Sequence, residues 1–310
     1  MFPDFLPATV QDLTDAESIT FAQKIQRVSV TVPFDKSNGG ERAIATSHIR
    51  ADTPTDAPPI LLIHGFDSSL LEYRRLMPLL AEHREVWAVD LLTFGFTERP
   101  EGLTFDAAAV KAHLHQFWQT VMGGRSLILV GASMGGAVAQ DFAVTYPDAV
   151  EKLVLLDSAG FVGKPLMSRF LIAPIGKLAT NFLSNPKVRD GIGKKAYCDP
   201  DTWATPEAYR CGALHTTMPR WSEALISFTQ QGGYTIQGDR IAQIQQPTLI
   251  FWGDRDGILG TATASKFQKT LPNHQLVWVP NCGHVPHLEQ AKFTAEQMLS
   301  WMPSPAMQSA

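Results

Sequence analysis

Cysteine is scarce in this chain: Cys198, Cys211 and Cys282 are the only three in 310 residues. So few, and odd in number, they exclude a disulfide scaffold and point to a reducing compartment. Long apolar runs are missing too. None reaches the roughly 18 residues that a membrane helix requires, and the uncharged stretch 127–140 is interrupted by Ser133 and by glycines. Dense basic runs are also absent; Lys+Arg 26 against Asp+Glu 30 leaves a net charge of −4. That balance excludes an obvious nucleic-acid partner. The opening Met1-Phe2-Pro3-Asp4-Phe5-Leu6 has neither a basic region nor a continuous apolar one, so no secretory signal is expected. These absences predict a cytoplasmic protein without a transmembrane segment. A peripheral membrane contact through Phe2, Phe5 and Leu6 is the minor alternative to a loosely packed arm.

What is present is ordinary globular composition, 45% hydrophobic and 18% charged. A chain of this length buries about three quarters of its unfolded surface. Short apolar runs at Val28–Val32, Ile60–Ile63, Val86–Val89, Leu127–Val130, Leu153–Leu156, Thr248–Trp252 and Leu276–Val279 read as strands. Most lack alternation, as strands buried on both faces of a parallel sheet do. Helical patterns fall between and after them, at Leu70–Ala81, Asp106–Val121, Ala137–Tyr146 and His287–Trp301. The fold class is therefore α/β, a mostly parallel sheet flanked by helices. The alternation stops between Gly160 and Pro247. This stretch carries Phe161, Phe170, Leu171, Ile172, Phe182, Trp203, Trp221 and Phe228 among basic residues. An unstructured loop of that length is improbable in a compact domain. It is expected to be a helical cap: residues 161–246 as the insertion, 1–160 and 247–310 as the core. Lys164, Arg169, Lys177, Lys187, Arg189, Lys194 and Lys195 read as its solvated face.

The sharpest motif is Gly131-Ala132-Ser133-Met134-Gly135, between a strand-like run and a helical one. Alone, G-x-S-x-G is weak. Here the serine would stand on a strand-to-helix turn above the sheet, with glycines permitting the strained backbone. A serine hydroxyl needs a base. His284, on the loop after the last strand, is preferred to His287, for which a surface or capping role is expected. The base needs an orienting carboxylate; Asp256 is preferred, and Asp157 is the alternative. Asp254 reads as pinning its turn. Backbone N–H groups of Phe66 and Met134 are expected to bind the oxyanion. His64 reads as a structural hydrogen-bonder, since nothing nearby completes a ligand set, and no metal is expected. With no dinucleotide fingerprint and no P-loop, no nucleotide cofactor is expected either.

His64-Gly65, Asp90 with Phe94-Gly95-Phe96, Gly131–Gly135, Gly253–Asp256 and Gly283-His284, in this order, resemble the α/β-hydrolase superfamily. The phrases at 61–80, 87–100 and 283–290 are further similar to hydrolases common in cyanobacteria and plastids, some of them similar to lipid or chlorophyll-ester hydrolases. Leu91-Leu92-Thr93 departs from relatives that carry glycine there, a change expected to affect packing alone.

Within that superfamily, dehalogenases and epoxide hydrolases use an aspartate nucleophile, which Ser133 argues against. Carbon–carbon bond hydrolases usually carry Asn before the serine, a glycine-rich oxyanion loop and Trp after the histidine; Ala132, Phe66-Asp67-Ser68 and Val285 depart from all three. The expected activity is hydrolysis of a hydrophobic carboxylic ester through Ser133, His284 and Asp256. A histidine base implies activity that falls as the pH drops. A receptor of the same fold, binding a small ligand with little turnover, is the alternative from another class.

Overall fold

The apolar run Ile60–Ile63 is strand β3, and it is buried at every position. The computed structural model that contains it describes residues 1–34, 40–161 and 173–302. The other strands are β1 Gln26–Pro33, β2 Glu41–Ala51, β4 Val86–Val89, β5 Leu127–Ala132, β6 Val150–Leu156, β7 Thr248–Gly253 and β8 His274–Val279. They form one eight-stranded sheet in the order β1-β2-β4-β3-β5-β6-β7-β8. From β4 through β8 neighbouring strands are parallel, while β1–β2 and β2–β4 pair antiparallel.

Helices cover both faces. In chain order the α-helices are α1 Ala16–Gln23, α2 Leu76–Ala81, α3 Ala107–Thr120, α4 Met134–Thr145, α5 Ala173–Ser184, α6 Pro186–Ala196, α7 Pro200–Trp203, α8 Pro206–Ala213, α9 Trp221–Gln230, α10 Gly238–Ile241, α11 Ala262–Thr270, α12 Pro286–Glu289 and α13 Ala291–Trp301. The two-residue period of a strand sorts its side chains between two cores. Leu61 and Ile63 of β3, with Leu127 and Leu129 of β5, pack towards Leu114 and Phe117 of α3 and Val138 and Phe142 of α4. Ile60, Leu62, Ile128 and Val130 point the other way, to Phe21 of α1, Leu76 and Leu80 of α2 and Met298 of α13. Each such side chain contributes about 1.5–3 kcal/mol when fully buried. Phe2 and Phe5 pack against this second core and Leu6 lies within it. The N-terminal arm is therefore docked on the body of the protein.

Helices α5–α10 all lie between β6 and β7. Trp221 and Phe228 join the first core, and Cys211, Leu214 and Met218 join the second. Phe182 is exposed instead. Phe170, Leu171, Ile172, Lys164 and Arg169 lie outside the described residues. Among the described residues no helix is long and apolar enough to cross a membrane. Leu91 and Leu92, the departure noted above, are fully buried in the first core.

Candidate active site

Ser133 is the N-cap of α4, with φ 51° and ψ −120°. A non-glycine residue there is strained, and close packing behind it holds the strain in place. A Cβ on Gly131 would lie 2.4 Å from the Gly135 carbonyl oxygen, and one on Gly135 would lie 2.4 Å from the carbonyl oxygens of Ile63 and His64. Only glycine lets α4 approach β3 and β5 this closely. The Ser133 N–H donates to Leu156 O, and its carbonyl accepts from Gly136 and Ala159. The side chain lines a cavity of about 370 Å³, together with Gly65, Phe66 and His284.

His284 Nδ1 is 3.0 Å from Asp256 Oδ2, and both residues are buried. The other Asp256 oxygen accepts the N–H groups of Ile258 and Leu259, at 2.7 and 3.0 Å. Burial disfavours the Asp256 charge, but the bond to His284 and these two N–H donors outweigh it and hold the carboxyl below its ordinary value. Asp157 lies beside this pair at the end of β6. Its Oδ1 accepts the Gly253 N–H at 2.9 Å. Burial, with the neighbouring Asp256 charge, drives its carboxyl well above the ordinary range and so favours its protonated form. Donor atoms of Asp157, Asp256 and His284 lie within 4.8 Å of one another, the spacing of a metal-ligand set. Here the Asp256 and His284 atoms are committed to each other and to backbone N–H groups.

The loop after β3 supplies the opposite wall. Among the described residues, neither the Phe66 nor the Met134 N–H is drawn into a turn or cap hydrogen bond. His64 uses both ring nitrogens structurally: Nδ1 donates to Gly65 O at 2.8 Å and Nε2 accepts the Leu91 N–H at 3.1 Å. Glu72 accepts the Gly65 N–H at 3.0 Å and the Ser68 hydroxyl at 2.6 Å. Burial pushes its carboxyl up to about 8.

One histidine and one arginine depart from the expectations of the sequence. His287 is buried against Tyr73 and lines the cavity, where a surface or capping role was expected. Arg189, expected on a solvated face, pairs with Asp67 Oδ2 at 2.7 Å. The Asp67 Oδ1 takes the remaining donors, His215 Nε2 at 3.0 Å and Trp221 Nε1 at 2.8 Å. Burial opposes the Asp67 charge, yet His215 and Arg189 hold its carboxyl at about 2. Four residues scattered in sequence thus join the loop after β3 to helices of the insertion. On the far side, the His284 N–H donates to Ala196 O, at the end of α6.

A strained serine on the turn after β5 and the histidine of a buried histidine–carboxylate pair line one cavity on a sheet of the α/β-hydrolase order. The alpha/beta hydrolase family model matches residues 60–297, and this chain belongs to that family. It is 34% identical over 293 residues to the alpha/beta hydrolase domain-containing protein VTE7 of Arabidopsis thaliana, covering 94% of this chain and 87% of that one. It is 30% identical to a 2-hydroxy-6-oxo-6-(2'-aminophenyl)hexa-2,4-dienoic acid hydrolase of Metapseudomonas resinovorans, over 79% of this chain and 83% of the relative. Similarity to Lipase 1 of Psychrobacter immobilis is 28% identity, over 77% and 74% of the two chains.

Proposed function

We propose that this protein is a carboxylic-ester hydrolase acting through an acyl-enzyme on a hydrophobic, lipid-like ester. Ser133 attacks the ester carbonyl while His284 accepts its proton. Asp256 holds the imidazole and stabilises the cation that forms. The N–H groups of Phe66 and Met134 bind the oxyanion. When the tetrahedral intermediate collapses, the carbon–oxygen bond breaks and His284 protonates the departing alcohol. Water, deprotonated by the same histidine, then attacks the acyl-serine and releases the acid.

The observation that carries this reading is the 3.0 Å His284–Asp256 hydrogen bond beside a cavity that Ser133 also lines. Leu183, Ile192, Ile258 and Leu288 give that cavity an apolar wall, and the likeness to a lipase supports an ester of the same character. In this reading residues 161–246 form a helical cap over a core of 1–160 and 247–310, and the chemistry needs no metal or cofactor. The dienoic acid hydrolase relative favours carbon–carbon cleavage as a second reading. Ala132, Asp67 and Val285 weigh against it.

The test is hydrolysis of p-nitrophenyl esters from short to long chain, by wild type and by Ser133→Ala. Turnover that falls about 10⁴-fold or more in the variant is the expected result. Equal turnover by both would overturn the serine mechanism.

A further inference from the structure

Arg74 follows the short 3₁₀ turn Leu70–Tyr73, which is capped by the Ser69 hydroxyl. It is only 4% exposed. Among the described residues no carboxylate lies within ion-pair distance of it; its guanidinium donates through Nη1 to Leu71 O at 3.2 Å, and its Nε has no partner. Isolating a buried cation in this way is costly, and buried charges are normally paired. The acid nearest in sequence, Glu72, does not neutralise it. Both Glu72 oxygens are engaged by Gly65 and Ser68, and with its carboxyl pushed up to about 8 it is protonated at neutral pH.

Arg74 lines the cavity that holds Ser133 and His284. Its charge acts on Tyr197 and Cys211, cavity-lining residues brought there by the insertion. Close by, His287 is buried, lines the same cavity and has neither ring nitrogen hydrogen-bonded. A guanidinium bonded to Leu71 O but with no carboxylate partner among the described residues, and an imidazole whose Nε2 lies 3.6 Å from Glu72 Oε1, therefore line one cavity with apolar Leu183, Ile192 and Leu288.

We propose that Arg74, assisted by His287, anchors a carboxylate on the substrate, so that this enzyme cleaves an ester whose molecule also carries a free acid. One uncompensated positive charge matches one carboxylate, and the planar fork of arginine matches its two oxygens. The apolar wall then receives the hydrocarbon part. This deepens the esterase reading and rests on it.

The test separates binding from turnover. Ser133→Ala is titrated by calorimetry with monomethyl adipate, which bears one ester and one carboxylate, and with dimethyl adipate, which bears two esters. Monomethyl adipate is expected to bind at least tenfold more tightly. That preference disappears in Ser133→Ala/Arg74→Gln and is partly restored in Ser133→Ala/Arg74→Lys; circular dichroism shows that each variant is folded. Equal affinity for the two ligands, or a preference that survives Arg74→Gln, overturns the proposal. If Arg74→Gln fails to fold, the wild-type-background preference and the Lys variant decide alone. Arg74-dependent binding with no hydrolysis of any ester by the enzyme with Ser133 intact would retain the carboxylate site and remove the esterase reading.

Discussion

Asp67 and Trp221 are 154 positions apart in sequence, yet the indole N–H donates to the Asp67 carboxylate at 2.8 Å. Asp67 directly follows Phe66, the proposed oxyanion donor, and its backbone is held at φ 47°. The placement of that donor is thereby tied to Trp221, His215 and Arg189.

Replacing Asp67 tests the tie. In the folded protein its carboxyl sits at about 2, below the ordinary aspartate value of about 3.9. A lowered folded-state pKa contributes stability that is complete above about pH 5 and is lost as the pH falls towards 2, here about 2–3 kcal/mol. Asp67→Asn should lose that amount at pH 7 in urea unfolding and converge with wild type near pH 2. Its kcat for an ester should also fall by about tenfold or more, with little change in KM, as a misplaced oxyanion donor requires.

Asp256 and Asp157 divide two roles between adjacent carboxyls. Asp256→Asn should reduce kcat by about 10⁴-fold, because an amide no longer holds the correct imidazole tautomer. Asp157, whose surroundings favour its neutral form, is matched by Asn in shape, and that variant should stay within a few-fold of wild type. Steady-state kinetics of the pair decides the assignment; the reverse ranking would make Asp157 the triad acid.

Glu72 gives the opposite pH dependence from Asp67. Its carboxyl, raised to about 8 by burial, keeps its proton in the folded chain while the unfolded chain ionises near 4.3. Folding then binds a proton, so stability is complete below about pH 4 and declines as the pH rises towards 8. Glu72→Gln should flatten that decline. Melting temperatures of both proteins from pH 5 to 9 provide the check.

The tight contact behind the nucleophile predicts a steric effect. A methyl group on Gly135 would meet the carbonyl oxygens of Ile63 and His64 at 2.4 Å, and backbone cannot yield as a side chain does. Gly135→Ala should lose about 1–3 kcal/mol of stability and most ester turnover, because the turn carrying Ser133 is displaced. Denaturant unfolding and kinetics on the same preparation measure both.

Why some of this was legible in the sequence and some was not follows from the range of the contacts. β3, β4, β5 and β7 are uniform apolar runs, a signature that local composition carries by itself. β2 was not expected because Glu41–Ala51 holds Arg42, Ser47, His48 and Arg50. Two of its buried hydroxyls take distant partners, Thr46 bonding His113 and Ser47 bonding Asp90. The candidate triad residues were legible because each sits in a short motif at a strand end. The Asp67 cluster was not, since its partners come from positions separated by 122 to 154 residues. Arg189 and His287 likewise read locally as surface residues; their burial is decided by what folds over them.

Among the described residues the insertion is bonded to the body at several places, among them Asp67 through Trp221 and Arg189, the backbone of His284 through Ala196 O, and Asp141 through Tyr234 and Arg240. A swing of these helices away from the sheet would break such bonds together and shift the backbones of Asp67 and His284, so movement of the insertion and the arrangement beside Ser133 are mechanically coupled.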